Sequence, residues 1–239
     1  MISEKVFTLS HSAFWRELLP MAESYVRECN VESARFAPHL DSALPPADRG
    51  LVNEVGFRLF AAGVRLREPA DGLERAVIDD CMVAGLRHIS AMRQLQRHPP
   101  QPLKPAGLDE AVAIARRLED FFAAPGLGVP TLFPELPGCG WVDRCYADAL
   151  AGSTLFEIKA GDRGFRSADV RQLLCYCALN FAAKRYQISH VCLVNPRTGR
   201  YVGESLDAMS KHLAGRSATE LLAQIVHYVS DAPDRYTAS

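Results

Sequence analysis

Asp143, Glu157 and Lys159 have the types and spacing to handle a metal ion and a phosphate. The stretch 154–160 is short, apolar and bounded by turn residues, as a strand should be. Residues two apart on a strand share a face, so Glu157 and Lys159 point one way while Phe156 and Ile158 point the other, towards the core. A turn centred near residues 149–151 gives a register that sets Asp143 across from Glu157, with opposed Cβ atoms about 4.5 to 5.5 Å apart. Carboxylates that close repel each other unless they share a cation. A hard divalent ion such as Mg2+ or Mn2+ takes oxygen ligands, so Asp143 and Glu157 are candidate metal ligands, with the Ile158 carbonyl as a third. Such an ion would polarise a phosphoryl group and acidify water. Lys159 would orient that water and offset charge on the transition state. The plain alternative is an exposed cross-strand charge cluster in which Lys159 merely neutralises Glu157.

These residues need elements to hold them. Three short strands are expected over 131–136, 141–147 and 154–160, forming a meander, followed by a helix from Ser167 to 186. Ser167 is a plausible N-cap, and the buried stripe would be Val170, Leu173, Leu174, Cys177, Ala178 and Phe181. A further strand over 190–194 ends in the turn-forming Asn195-Pro-Arg-Thr-Gly199, with Tyr201-Val202 beyond it. Helices over 206–213 and 219–229 complete the chain. Upstream, apolar residues recur at helical spacing over 10–28, 48–66, 72–96 and 108–124. Four prolines in His98-Pro-Pro-Gln-Pro-Leu-Lys-Pro105 forbid helix and favour an extended connector. The expected division is therefore a helical region over 1–105, selecting substrate or partner, and an α/β domain with a central mixed sheet over 106–239.

Asp143, thirteen intervening residues and then Glu157-Ile158-Lys159 resembles the Asp-x(n)-Glu-x-Lys signature of the PD-(D/E)XK nuclease superfamily. Val142 stands where the motif's name expects Pro. Gln172 and Tyr176, spaced i, i+4 on the following helix, resemble the Gln-x-x-x-Tyr element of the exonuclease-like branch. The likeness spans roughly residues 108–203. It implies a restriction-endonuclease-like core and a Mg2+- or Mn2+-dependent deoxyribonuclease, with Asp143, Glu157, Lys159 and Gln172 as the catalytic set. Prokaryotic genome defence, including antiviral defence, or repair follows from the likeness alone. Many members also carry a metal-site Glu on the helix before the first core strand; Glu119 is the favoured candidate here, with Glu110 and the more distant Glu54 as alternatives. Arg163, Arg166 and Arg171, around the start of the Gln172 helix, could meet phosphates bidentately, and Tyr176 would join them in contacting nucleic acid. Two other readings use the same residues: an inactive nuclease-fold adaptor or nucleic-acid-binding subunit, and an RNA-cleaving enzyme.

Composition sets bounds. The 239 residues, 48% hydrophobic and 23% charged, suit a globular chain rather than a disordered one. A net charge of −1 hides a division, since residues 139–216 hold 11 Lys/Arg against 7 Asp/Glu. That local excess favours a DNA partner beside the candidate site, although a protein partner or homodimer through the helical region would help grip it. No apolar run approaches the roughly 20 residues of a membrane span, and no signal-peptide stretch follows Met1, so a cytoplasmic protein without membrane contact is expected. Seven cysteines, an odd number without paired metal-ligand spacing, suit buried reduced thiols. Nucleophile-elbow, Walker and dinucleotide-binding motifs are missing.

Overall fold

The computed structural model describes residues 1–92 and 100–231. Where the sequence suggests one helix over 10–28, the chain forms α1 (Glu4–Ser10), α2 (Ser12–Leu18) and α3 (Ala22–Glu32). Pro20 explains the last break, because it has no N–H to donate and its ring clashes with the preceding turn. A two-residue strand, β1 (Ala34–Arg35), leads to α4 (Pro46–Leu66), a 3-10 turn (Ala70–Gly72) and α5 (Arg75–Met92). The expected extension of that last helix to residue 96 lies outside the described residues. Helix α6 (Pro105–Phe122) begins with proline in its first turn, where no intrahelical N–H bond is lost.

Two short strands, β2 (Thr131–Leu132) and β3 (Glu135–Leu136), precede β4 (Cys145–Tyr146), β5 (Ala149–Ala151) and β6 (Thr154–Ile158). Helix α7 (Ser167–Ala183) then crosses to β7 (His190–Asn195), and β8 (Arg200–Ser205), α8 (Leu206–Ala214) and α9 (Ala218–Ser230) follow. Arg166, one residue before the expected Ser167, is the N-cap of α7, and the Asp169 carboxylate reaches back to accept from the Arg166 backbone N–H.

The protein is α/β, with a mixed six-stranded sheet ordered β1-β8-β7-β6-β5-β2. Within this sheet β6 and β7 run parallel, and α7 supplies the long crossover such a pair needs. Strands β3 and β4 form a separate ribbon. The expected meander of three strands is therefore broken: of residues 141–147, only Cys145 and Tyr146 are strand, and they pair with β3 rather than β6.

Alternation along β6 and β7 divides the core in two. Leu155 and Leu193 join Phe7, Trp15 and Tyr25 from α1 to α3 and the apolar faces of α7, α8 and α9. Phe156, Cys192 and Val194 face the opposite way, against Val55 and Leu59 of α4 and Ile114 and Leu118 of α6. Each such fully buried side chain contributes about 1.5–3 kcal/mol relative to exposure. The boundary expected at residue 105 does not separate two cores. Instead, α1 to α3 complete one helical layer over the sheet, while α4, α5 and α6 form the other. Among the described residues, no helix is long and apolar enough to cross a membrane.

Candidate active site

The β5–β6 hairpin sets the site. Ala151 pairs with Thr154 across a two-residue loop, Gly152-Ser153, and Gly152 has φ +56°. Positive φ at the first loop position suits a tight hairpin turn and costs glycine nothing. The ladder continues through Leu150 with Leu155 and Ala149 with Phe156, so the next residue outward from Ala149, opposite Glu157, is Asp148. The Asp148 carboxylate caps the end of β6, its Oδ2 accepting from the Ile158 N–H at 2.7 Å.

Glu157 is only 2% exposed. Lys159 shares its face and donates from Nζ to Glu157 Oε1, and to Gln172 Oε1 at 2.9 Å. Gln172 Nε2 in turn donates to the Tyr176 hydroxyl at 2.7 Å. The i, i+4 spacing of Gln172 and Tyr176 thus delivers a chain of polar contacts from β6 into α7. Asp169 Oδ1 lies 4.0 Å from Lys159 Nζ, at the mouth of this chain.

Burial and like charge dominate the electrostatics. Burial, then the Asp148 carboxylate, pushes Glu157 up to about 8, and the neighbouring Lys159 recovers only part of that shift. Asp148 is also raised, first by burial. For Lys159, burial acts to lower the ammonium's pKa, but Glu157 and Asp148 outweigh it and the net direction is upward. Burial raises the Tyr176 phenol, with the Glu157 and Asp148 charges adding to it, so it is a neutral donor and acceptor. Glu157 Oε2 is buried without a hydrogen-bond donor. Once ionised, an oxygen without a donor beside a second carboxylate would suit a hard divalent cation, which would displace the proton and offset the mutual repulsion.

Several expected site residues stand elsewhere. Asp143 is exposed and two residues before β4; its Oδ1 accepts from the Arg144 N–H at 2.8 Å, and its own N–H donates to the Ile2 carbonyl. It does not oppose Glu157, because the turn lies at Gly152-Ser153, farther along the chain than the expected centre. Glu119 is turned to the 3-10 turn and accepts from the Ala70 N–H at 2.8 Å. Glu110 faces the fully buried Arg197, with Arg197 Nη1 and Glu110 Oε1 2.7 Å apart as an ion pair lacking hydrogen-bond alignment. Of the three upstream glutamates, Glu54 is the one whose charge reaches Asp148. It is held by Arg58 at 2.6 Å and His88 at 3.7 Å.

The arginines are also reassigned. Arg163 grips Asp169 bidentately at 2.7 and 2.8 Å, which makes it a brace for the α7 cap. Arg166 is exposed at the N-cap. Arg171 has a buried Nε without an acceptor, and its charged neighbours are Glu23 and Arg16, on α3 and α2. Tyr176 is 2% exposed, so it buttresses Gln172 rather than meeting nucleic acid. Ile158 follows Glu157 at the end of β6, with its side chain against the opposite core as expected.

Asp148 escaped sequence reasoning although Gly152-Ser153 is a hairpin signal, and centring the turn there would have found it. Glu4 and Lys5 had no such signal. They sit on α1, pinned near the site by the bridge between Ile2 and Val142, and Lys5 lowers Asp148 while Glu4 raises Tyr176. Around the cluster, Arg197 donates to the Ala160 carbonyl at 3.0 Å and to Asn53 Oδ1 at 2.7 Å, and Asn195 donates to the Gly161 carbonyl at 2.8 Å. These bonds fix the chain as it leaves Lys159.

Among the described residues, no three or more His, Cys, Asp or Glu side chains gather as a metal cage. Two carboxylates alone would leave most positions around a divalent ion to water and substrate oxygens, an arrangement Mg2+ can accept. All seven cysteines are free, and burial raises the thiols of Cys145, Cys177 and Cys192 to about 12. A scan against protein-family models and a search of curated proteins return no match.

Proposed function

We propose that this protein is a divalent-metal-dependent nuclease that hydrolyses phosphodiester bonds of DNA, on a restriction-endonuclease-like core. The observation that carries the reading is the β5–β6 register, which puts Asp148 opposite Glu157 with Lys159 on the same face and leaves one Glu157 oxygen without a donor. In the resemblance, Asp148 takes the part expected of Asp143, and the motif shortens to Asp148, eight residues and Glu157-Ile158-Lys159.

Asp148, Glu157 and the Ile158 carbonyl would hold Mg2+ or Mn2+. When bound, that cation supplies Lewis-acid polarisation of the phosphate and acidification of water. Lys159 donates to the attacking water or a non-bridging phosphate oxygen and balances charge as the phosphorane develops. Gln172 holds the Lys159 ammonium in place, and Tyr176 holds Gln172. Glu54 and Glu4 add to the negative field that draws a cation in.

An inactive adaptor is favoured by one observation: Lys159 already pairs with the buried Glu157. Incubating purified protein with linear duplex DNA, single-stranded DNA and RNA, each with Mg2+, Mn2+ or EDTA, separates the readings. Metal-dependent cutting lost in Glu157→Gln and Lys159→Met supports the nuclease, with the preferred nucleic acid distinguishing DNA from RNA cleavage. Cutting that survives both substitutions refutes the site.

A further inference from the structure

A cavity of about 510 Å3 opens between α4, α5 and the end of β2, lined by Arg58, Arg65, Asp80, Cys81, Leu132 and Phe133 among others. It adjoins the candidate site along the backbone. Leu132 pairs with Ala149, and the Phe133 N–H donates to the Asp148 carbonyl at 3.1 Å. Arg58, on the opposite wall, holds the Glu54 whose charge reaches Asp148.

Phe133 combines two unfavourable features. Its φ is +50°, a left-handed conformation that costs a residue with a Cβ about 1–3 kcal/mol. The residue is also 42% exposed, although Phe57 meets its ring at 5.2 Å in an edge contact. Glycine would adopt this backbone without strain, and a polar residue would suit the solvent. Arg65 is exposed at the same cavity, and among the described residues no carboxylate lies within ion-pair distance of it. An accessible aromatic ring and an unpaired guanidinium beside a phosphodiesterase site suit a flat, π-faced group attached to a phosphate. The space falls in the range of small-molecule sites.

We infer that this cavity receives an unpaired nucleobase next to the scissile phosphate, stacked on Phe133 with its backbone phosphate towards Arg65, so that the substrate is single-stranded DNA or a frayed end. This rests on the nuclease reading for its setting. A base within a duplex has both faces covered by its neighbours and cannot stack on Phe133 without leaving the helix.

The test uses the full chain in EDTA, where no cutting occurs, and a single-stranded oligonucleotide carrying 2-aminopurine. Wild type should quench the probe and bind it more tightly than the matching duplex. Phe133→Ala should abolish the quench and weaken single-strand binding about 5- to 100-fold, as expected for one lost stacking contact. Phe133→Trp should retain both. Phe133→Gly relieves the backbone, so it should fold at least as well as wild type and still lose the quench. Absence of quenching by wild type, or undiminished quenching by folded Phe133→Gly, overturns the inference. A protein that cuts DNA without Phe133-dependent quenching overturns the base pocket alone. One that quenches through Phe133 but never cuts supports the pocket and refutes the nuclease.

Discussion

Replacing Asp148 with Asn should stabilise the metal-free protein at alkaline pH. Opposed strand residues have Cβ atoms about 5 Å apart, and two unit charges at that distance with an effective dielectric near 20 repel by about 3 kcal/mol. Lys159 beside Glu157 offsets part of this, leaving about 1–3 kcal/mol to be relieved. The sign follows from Glu157, whose pKa in the folded protein rises from 4.5 to about 8. The folded chain keeps a proton that the unfolded chain gives up. Stability tied to this group is fully present below about pH 4.5 and is lost as pH rises through about 8. Without the Asp148 charge, Glu157 ionises earlier and less is lost. Thermal melting in EDTA should therefore show Asp148→Asn near wild type at pH 5 and about 2–12 °C above it at pH 8, at 2–4 °C per kcal/mol for a chain of this size. The variant should also lose any stabilisation by Mg2+ or Mn2+ seen in wild type. Equal destabilisation at both pH values would refute the opposed-carboxylate geometry.

Exposed Asp143 should behave differently: Asp143→Asn should change stability by no more than about 0.5 kcal/mol and leave any metal response intact. Glu119→Ala should cost about 1–2 kcal/mol in urea unfolding, through the lost bond to the Ala70 N–H, while leaving metal binding unchanged. Arg197→Met strands Glu110 and frees the Ala160 carbonyl, so unfolding should become about 3–5 kcal/mol easier. Because a cation must displace the proton on Glu157, titration calorimetry should show proton release, with apparent Mn2+ affinity rising up to about tenfold per unit between pH 6 and 8.

The sequence made the strand face legible because alternation has a fixed period. Glu157 and Lys159 fall on one side, and Phe156 and Ile158 on the other, as expected. The i, i+4 pair Gln172 and Tyr176 was equally accessible, since helix geometry alone brings the two side chains into contact. Register was harder. It depends on which residues form the turn, and placing that turn upstream of Gly152-Ser153 exchanged Asp148 for Asp143. The upstream acids illustrate a different limit. Glu54, Glu110 and Glu119 are all helical carboxylates in sequence, and only packing sets one on Arg58 within charge range of Asp148, one against Arg197 and one on the Ala70 N–H. Likewise, the prolines before α6 suggested a divide, but both faces of the sheet need helices, and the first hundred residues supply much of that cover.

The central claim is phosphodiester cleavage by the Asp148, Glu157 and Lys159 cluster. Its most direct measurement is the initial rate on end-labelled single-stranded and duplex DNA with Mn2+ at pH 8, for wild type, Glu157→Gln and Lys159→Met, with folding checked by circular dichroism. Wild type should cut and lose activity in EDTA, while each folded variant should fall by at least about 100-fold, the scale for removing a group that stabilises transition-state charge. Wild-type rates in both variants, or no cutting by wild type with any divalent ion, would contradict the account.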